Sequence, residues 1–235
     1  MTLLLTRARL VTQHSRAQSV ARILQKAAAA DAGHALIWSL FPQEDQVRRF
    51  LYRETRPGEY LILSSVAPHD DLNLWSLESR EYSPELVSGD SLSFSLRADV
   101  QINTAPEGLP GQRQRGRREP LYMAAKRLGQ PREVVARDWL AERLQRHGAR
   151  LLSISPEFDL TRDPDMSETQ PQNKLRVQIE PRQRLSGGSK VGSLQPVLFE
   201  GALEVSDAGA FTSLLTAGLG KSRGYGCGLL LVRRL

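Results

Sequence analysis

Apolar positions in the first forty residues follow two different periods. Residues 3–11 alternate between apolar and polar side chains, which predicts a first β-strand. Over residues 20–28 the apolar positions recur at helical spacing, and Ser15 is the predicted N-cap of that helix. The helix is expected to continue through His34 until Pro42 ends it.

The next sixty residues predict a hairpin, a short helix and a strand. Two strand-like segments flank the Pro57–Gly58 turn, a combination typical of a β-hairpin. Residues 72–77 have helical spacing, and residues 92–98 alternate strongly. The resulting order, β-α-β-β-α-β, is the ferredoxin-like pattern.

The same order is predicted to begin again near residue 100. The predicted elements are a strand over residues 100–104, a helix over 131–147, strands over 151–154, 175–180 and 198–205, a helix that Asp207 caps, and a last strand over 224–232. The pattern therefore predicts an α+β protein of two tandem ferredoxin-like (RRM-like) domains with a C-terminal glycine-rich loop. We expect these domains to occupy residues 1–98 and 99–235.

Composition and charge narrow the class of protein. The chain has 235 residues, with 32 Lys and Arg against 26 Asp and Glu, so an anionic partner such as RNA, DNA or a membrane surface is favoured. The single cysteine, Cys227, excludes an intramolecular disulfide and a cysteine-based zinc site and is typical of the reducing cytosol. No apolar run approaches the ~20 residues that a membrane span requires. We expect a soluble, cytoplasmic protein that does not contact membranes.

Residues 218–228 form a glycine-rich segment that contains Lys221 and Arg223. Glycine lets a backbone approach a ligand closely, so the segment is either a loop that contacts phosphates or a turn that closes a sheet. A nucleotide-binding P-loop is disfavoured, because its first glycine would fall on Leu215 and because a helix is predicted where that motif needs a strand.

The glycine spacing resembles a known signature. The pattern Gly218-Leu-Gly220 followed by Gly226-Cys-Gly228 is similar to the C-terminal motif of CRISPR-associated repeat-processing endoribonucleases. The block from His34 to Pro42, followed by Phe50-Leu-Tyr-Arg, resembles the CasE subtype of that family. Residues 96–98 and 197–201 match further, in the order that the family has along its chains.

This resemblance implies an activity and its partners. The protein would bind the stem-loop of CRISPR repeat RNA and cut at the 3′ base of the stem, without metal or cofactor. The 2′-hydroxyl would attack the scissile phosphate and leave a 2′,3′-cyclic phosphate and a 5′-hydroxyl. In the family a histidine on the first helix serves acid–base chemistry, and His34 matches that position. The product-bound nuclease is also a subunit of the Cascade surveillance complex, so other Cascade subunits are implied partners.

The chemistry of the reaction agrees with a histidine. Moving protons to and from ribose and phosphate oxygens requires a group that titrates near neutrality. The other three histidines, His14, His69 and His147, have no matching position in the family. Asp31 stands where some members carry a tyrosine. Because positions i and i+3 are neighbours on a helix, Asp31 either hydrogen bonds the imidazole as a second catalytic residue or is an exposed helix residue.

Basic residues and the glycine-rich segment provide the candidate RNA contacts. A run of arginines usually means a solvated loop, but in an RNA-binding protein it can become ordered on phosphates. The predicted contacts are Arg113, Arg115, Arg117, Arg118, Arg182, Arg184, Lys190, Gly220, Lys221, Arg223, Tyr225, Gly226 and Gly228. Lys190, Lys221 and Arg223 are candidates to stabilise negative charge that develops on the phosphate. The alternative function is a structural RNA-binding protein in which His34 has no catalytic role.

Overall fold

The computed structural model describes residues 3–11, 29–41, 50–71, 73–104, 118–152, 175–185 and 192–235. Over these residues the protein is a mixed α+β structure with two larger antiparallel sheets and two short two-stranded ribbons. No helix in the described ranges is long and apolar enough to cross a membrane.

The first sheet is built from residues 4–81. It contains strands β1 (Leu4–Leu10), β2 (Phe50–Arg56), β3 (Glu59–Ser64) and β4 (Trp75–Glu81) in the order β2-β3-β1-β4. Helix α1 (Ala29–Trp38) packs on this sheet, where Ile37 and Ile62 are fully buried in one hydrophobic cluster. The predicted first strand, the hairpin around Pro57–Gly58 and the helix that contains His34 are therefore confirmed, although the predicted start of that helix lies outside the described residues.

The predicted helical patch over residues 72–77 is wrong. Trp75 begins strand β4, which pairs with β1 along its whole length, from Leu10 opposite Trp75 to Leu4 opposite Glu81. Trp75 and Leu77 are two residues apart, so they fit a strand as well as a helix, and pairing with β1 decides between them. Leu72 lies outside the described residues.

The second sheet begins with the strand before residue 100 and not, as expected, with the strand predicted over residues 100–104. Strands β5 (Ser91–Asp99), β6 (Gln101–Asn103), β7 (Arg118–Pro120), β8 (Ala149–Leu151), β9 (Arg176–Ile179), β10 (Gln183–Leu185), β11 (Gly192–Leu194), β12 (Pro196–Val205) and β13 (Leu230–Arg234) follow along the chain. The sheet has the order β13-β5-β12-β8, and β9 also pairs with β12. The strand predicted over residues 92–98 therefore belongs to this sheet and not to the first one.

Two short ribbons lie outside the second sheet. Strand β6 pairs with β7, so the strand predicted over residues 100–104 forms a ribbon and is not the first strand of the second sheet. Strand β10 pairs with β11, which places a hairpin in the basic excursion between residues 182 and 193. Residue alternation indicates that a strand exists but does not identify the strand with which it pairs.

Three helices accompany the second sheet. Helix α2 (Leu121–Leu128) was not predicted, whereas helices α3 (Arg132–Arg146) and α4 (Ala208–Ala217) confirm the sequence prediction. Asp207 caps α4 as expected, because its Oδ1 accepts a hydrogen bond of 3.0 Å from the backbone N–H of Ala210. Trp139 on α3 stacks against Phe199 of β12 in the core of this half.

The two halves meet across the first sheet. Successive strand residues point to opposite faces, so Phe50 and Tyr52 pack with α1 while Leu51 faces the other way. Leu51 and Leu63 form a buried cluster with Leu229, which precedes the last strand. This cluster holds the end of the glycine-rich segment against the first sheet.

Candidate functional site

His34 lies on α1 with one ring nitrogen fixed. Its Nδ1 is 2.7 Å from the backbone carbonyl oxygen of Gly224. A carbonyl oxygen can only accept a hydrogen bond, so Nδ1 carries the proton and donates it. The neutral ring therefore keeps its lone pair on Nε2. The imidazole also stacks on Tyr225, with 5.2 Å between ring centroids and 24° between planes.

Tyr52 donates to the same carbonyl. Its hydroxyl lies 2.8 Å from the Gly224 oxygen, and the side chain is buried on strand β2. Burial raises the pKa of Tyr52 far above its usual range, so this hydroxyl stays protonated as a donor. Sequence reasoning missed this residue, although it lies within the Phe50-Leu-Tyr-Arg block that carries part of the family resemblance.

The glycine-rich segment, residues 218–228, folds back on itself beside His34. The N–H of Leu219 donates to the oxygen of Gly228 at 2.9 Å, and the N–H of Gly228 donates to the oxygen of Arg97 at 2.8 Å. Gly218 and Gly228 have φ angles of 75° and 90°, and a Cβ on Gly218 would lie 2.9 Å from the Gly228 oxygen. The close approach of these two arms explains the glycines structurally. Contact of this segment with phosphate stays a prediction.

An ion pair supports the segment from the second sheet. The Arg97 guanidinium donates to the Glu180 carboxylate from Nη2 at 2.8 Å and from Nε at 3.0 Å, and its Nη1 reaches the Tyr225 oxygen at 3.3 Å. Burial alone would lower the pKa of Arg97, but its hydrogen bonds to Glu180 and the negative charge of that carboxylate leave it raised. The guanidinium is therefore a permanent cation that fixes the loop backbone.

A polar cleft opens next to the histidine. It is lined by both halves, and its walls include Gly33, Tyr52, Tyr60, Arg97, Glu180 and Tyr225. Arg53 lies there too, and its pKa is lowered first by burial and then by the positive charge of Arg97. The cleft offers aromatic surface and cations, and His34 lies beside it, stacked on Tyr225.

Cys227 has no reactive role in this arrangement. Its side chain is fully buried, and burial raises the pKa of the thiol to about 12.

The structure separates the predicted site residues into groups. His34, Tyr225 and Gly226 lie together, while Lys221 and Arg118 line a second cleft. Arg223 uses its guanidinium internally, since Nε donates to the Gly220 oxygen at 3.0 Å and Nη1 to the Ala217 oxygen at 2.6 Å.

Two of the remaining predicted residues lie in or just before β10, and the side chains of the others lie outside the part of the chain that the structure describes. Arg182 on the segment before β10 lies 5.4 Å from the Tyr122 ring centroid, and Arg184 is exposed on β10. The side chain of Asp31 and four basic residues, Arg113, Arg115, Arg117 and Lys190, lie outside what the structure describes. Helix α4 immediately precedes the glycine-rich segment, as predicted, where a P-loop would need a strand.

These features define an α+β protein in which a histidine, held by a glycine-rich loop, lies beside a polar cleft. Comparison of the whole chain with known families identifies the class. The chain belongs to the family described as CRISPR associated protein, whose model matches residues 3–234.

Individual relatives agree with this assignment. The CRISPR system Cascade subunit CasE of Escherichia coli (strain K12) is 29% identical over 207 residues, which cover 84% of this chain and 88% of that protein. Cse3 of Thermus thermophilus, bound to an RNA representing a pre-cleavage complex, has a similar fold with a TM-score of 0.65 and 24% identity over 99% of this chain and 100% of the other. Cas6e from Escherichia coli K-12 has a TM-score of 0.57 and 23% identity at the same coverage. The resemblance seen in the sequence is confirmed.

Proposed function

We propose that this protein is a metal-independent endoribonuclease that binds the stem-loop of CRISPR repeat RNA and cuts at the 3′ base of the stem. It would keep the mature RNA as a subunit of Cascade in the cytoplasm. The observation that carries the proposal is the bond from Nδ1 of His34 to the Gly224 carbonyl, which fixes the ring and leaves the lone pair of the neutral imidazole on Nε2. The relatives named CasE, Cse3 and Cas6e include an endoribonuclease bound to RNA, which supports the same class of activity here.

The proposed reaction needs one proton removed and one delivered. The 2′-hydroxyl loses its proton as its oxygen bonds to phosphorus, and the P–O5′ bond breaks as the 5′-oxygen gains a proton. The products are a 2′,3′-cyclic phosphate and a 5′-hydroxyl. Nε2 of His34 can serve either transfer, because it accepts a proton in the neutral ring and donates one in the imidazolium form.

The second catalytic residue is a separate proposal. Asp31 lies on α1 three residues before His34, which places the two positions as neighbours on the helix. If Asp31 hydrogen bonds the imidazole, Asp31→Asn should shift the pH–rate profile. An unchanged profile removes Asp31 from the mechanism.

The fold supports two tandem ferredoxin-like domains. In the first sheet, strands one and three are central and strands two and four lie at the edges. The second sheet repeats this arrangement, with β5 and β12 in the centre and β8 and β13 at the edges. We propose that the domains divide between residues 81 and 91, since β5 pairs only with strands of the second half among the described residues.

RNA contacts are proposed from charge and position. The stem would be held largely by shape and by its phosphates, as proteins generally recognise A-form RNA. Tyr225, beside His34, and the basic residues of both halves are the proposed contacts, including those outside the described ranges. Arg223 is the least suited of the set, because its guanidinium already donates to two loop carbonyls.

Cleavage and binding of a cognate repeat hairpin by wild type and His34→Ala in EDTA test the proposal. We expect the wild type to cut once and leave a cyclic phosphate. His34→Ala should bind with unchanged affinity and cut slower by ~10²-fold or more, the usual effect of losing a general acid or base. If both proteins bind and neither cuts, with or without added metal, the enzyme proposal fails and a structural RNA-binding role replaces it.

A further inference from the structure

A second cleft adjoins the glycine-rich segment. Residues 218–221 and Arg223 of the segment line it, whereas Tyr225 and Gly226 line the cleft beside His34. Its other walls come from α3, from the end of α4 and from the ribbon of β6 and β7. The cleft has a volume of about 380 Å³ and is open to solvent.

The lining of this cleft is strongly basic. Within the described ranges, its ionisable residues are Asp99, Arg118, Arg143, His147, Lys221 and Arg223. Asp99 is the one acid among them, and its carboxylate already accepts 2.6 Å and 3.1 Å hydrogen bonds from the Ser222 hydroxyl and the Gln101 amide. Among the described residues, Arg118, Arg143 and Lys221 form no ion pair with a carboxylate. The cleft therefore carries positive charge that the described part of the protein does not neutralise.

Arg143 and Trp139 form a well-packed wall of the cleft. Trp139 and Arg143 are four residues apart on α3, so they lie on one face of the helix, and His147 directly follows its last residue. The Arg143 guanidinium carbon lies 5.9 Å from the centroid of the Trp139 ring. Arg143 Nε and Trp139 Nε1 are both buried and have no hydrogen-bond acceptor among the described residues. Trp139 itself is 95% buried, at 5% exposure, so these donors are part of the packed structure and not of a mobile surface.

The geometry points to a phosphate as the occupant, and we propose that this cleft holds a phosphate group of the RNA strand that passes His34. Arginine and lysine are the side chains that proteins use for phosphate oxygens. Gly224, whose carbonyl binds His34, is three residues after Lys221, and three residues span at most about 11 Å. A strand in the cleft beside His34 would thus pass within reach of this one. The inference rests on the proposed function and extends it to Arg143, which no motif in the sequence indicates.

Binding of RNA to Arg143→Gln tests the inference, with Arg146→Gln as a matched control. Arg146 lies on the same helix, is exposed, pairs with Glu142 and is not among the residues that line the cleft. Both changes remove one positive charge. In a His34→Ala background, in which cleavage is slow, we expect Arg143→Gln to weaken binding of the flanked repeat hairpin about tenfold. The slope of log affinity against log salt should fall by about 0.7 to 0.9, the value for one phosphate contact. Arg146→Gln should stay within about twofold of the parent.

Two further measurements separate the sources of phosphate and guard against misfolding. Removing the single-stranded flanks abolishes the difference between Arg143→Gln and its parent if the phosphate belongs to a flank, and preserves it if the phosphate belongs to the stem. Inorganic phosphate added to the free protein should shift the indole N–H signal of Trp139 in wild type and not in Arg143→Gln. If Arg143→Gln does not fold, Lys221→Gln on the exposed rim should show the same loss of affinity and salt dependence.

The inference and the proposed function fail in different ways. If Arg143→Gln binds RNA like its parent and phosphate leaves the indole signal unmoved, the cleft is not a phosphate site, while cleavage that depends on His34 still supports the nuclease. If wild type neither binds nor cuts the repeat hairpin, the nuclease proposal fails together with the RNA strand that the cleft was inferred to hold.

Discussion

His34 and Tyr52 donate hydrogen bonds to a single acceptor, the carbonyl oxygen of Gly224, at 2.7 Å and 2.8 Å. A carbonyl oxygen has two lone pairs, so both bonds can form together. The three groups come from α1, from β2 and from the glycine-rich segment, which lies 190 residues after His34 in the chain. The orientation of the imidazole therefore depends on correct docking of the C-terminal loop against the N-terminal half.

Tyr52→Phe should impair cleavage while leaving RNA binding unchanged. The change removes one of the two donors that hold the Gly224 carbonyl, so the imidazole would be positioned less firmly. We expect a fall in kcat of several-fold and a loss of stability of about 1 kcal/mol, the usual net worth of one hydrogen bond. Single-turnover cleavage and urea unfolding measure the two effects.

Tyr82→Phe is the control for that change. Tyr82 is partly buried against the cluster of Leu51, Leu63 and Leu229, away from His34. It should leave kcat at the wild-type value. An equal loss of kcat in both variants would show that Tyr52 acts only through general stability.

Gly228→Ala should destabilise the protein more than Gly89→Ala. Both glycines have similar φ angles, 90° and 95°, so both substitutions carry the same backbone strain of about 1 kcal/mol or more. A Cβ on Gly228 would also lie 2.9 Å from the Leu219 oxygen, whereas a Cβ on Gly89 meets nothing within 4 Å. The additional loss of unfolding free energy in Gly228→Ala, measured by urea unfolding, reports the clash between the new Cβ and the Leu219 oxygen. Equal losses for the two variants would contradict this account of the glycine pattern.

Local pattern predicted most elements but not how distant strands pair. The alternation over residues 92–98 correctly indicated a strand, yet nine register pairs with β12 place it in the second sheet. Helix α2 escaped prediction because it has eight residues, begins after Pro120 without a side-chain cap and is stabilised by packing of Leu121 and Ala124. Short helices depend on tertiary contacts more than on their own propensity.

Only part of the candidate site could be predicted from the sequence. His34 and the glycine-rich segment could be identified from the motif, because both carry recognisable residue spacing. Tyr52 and Arg97 lie within the matching blocks, but their roles could not be assigned, since a strand tyrosine and a strand arginine are ordinary residues until the fold brings them to Gly224 and Tyr225. Arg223 was predicted from its place in the glycine-rich motif as an RNA contact, but in the structure its guanidinium donates a hydrogen bond to a carbonyl of the loop itself.

Glu180→Gln should cost more stability than Glu204→Gln. Glu180 pairs with Arg97, and both side chains are about four-fifths buried, with 22% and 17% exposed. Glu204 pairs with Arg150, whose side chain is 64% exposed. Removing the buried partner leaves an unmatched guanidinium and should cost about 1–3 kcal/mol, whereas the exposed pair should cost less than about 1 kcal/mol. Thermal and urea unfolding compare them, and cleavage should fall only in Glu180→Gln, because Arg97 also holds the Tyr225 carbonyl. Equal stability losses would show that the Arg97 pair does not support the loop.

Stability should fall at alkaline pH because three buried acids lose protons. Burial raises the pKa of Cys227 to about 12 and the pKa values of Tyr52 and Tyr60 above their usual range. Such groups hold their protons more tightly in the folded chain than in the unfolded chain. Their contribution to the free energy of unfolding is therefore fully present below the unfolded pKa values, about 8.5 for cysteine and about 10 for tyrosine. It is lost as the pH rises through the pKa values of the folded state. We expect ionisation of these three groups to leave the urea midpoint unchanged up to about pH 8.5 and to lower it above that pH. Cys227→Ala should remove the earliest part of that decline, above about pH 8.5, and leave the part due to the tyrosines. A variant whose unfolding free energy runs parallel to wild type from pH 8 to 11 would show that the buried thiol contributes nothing to it.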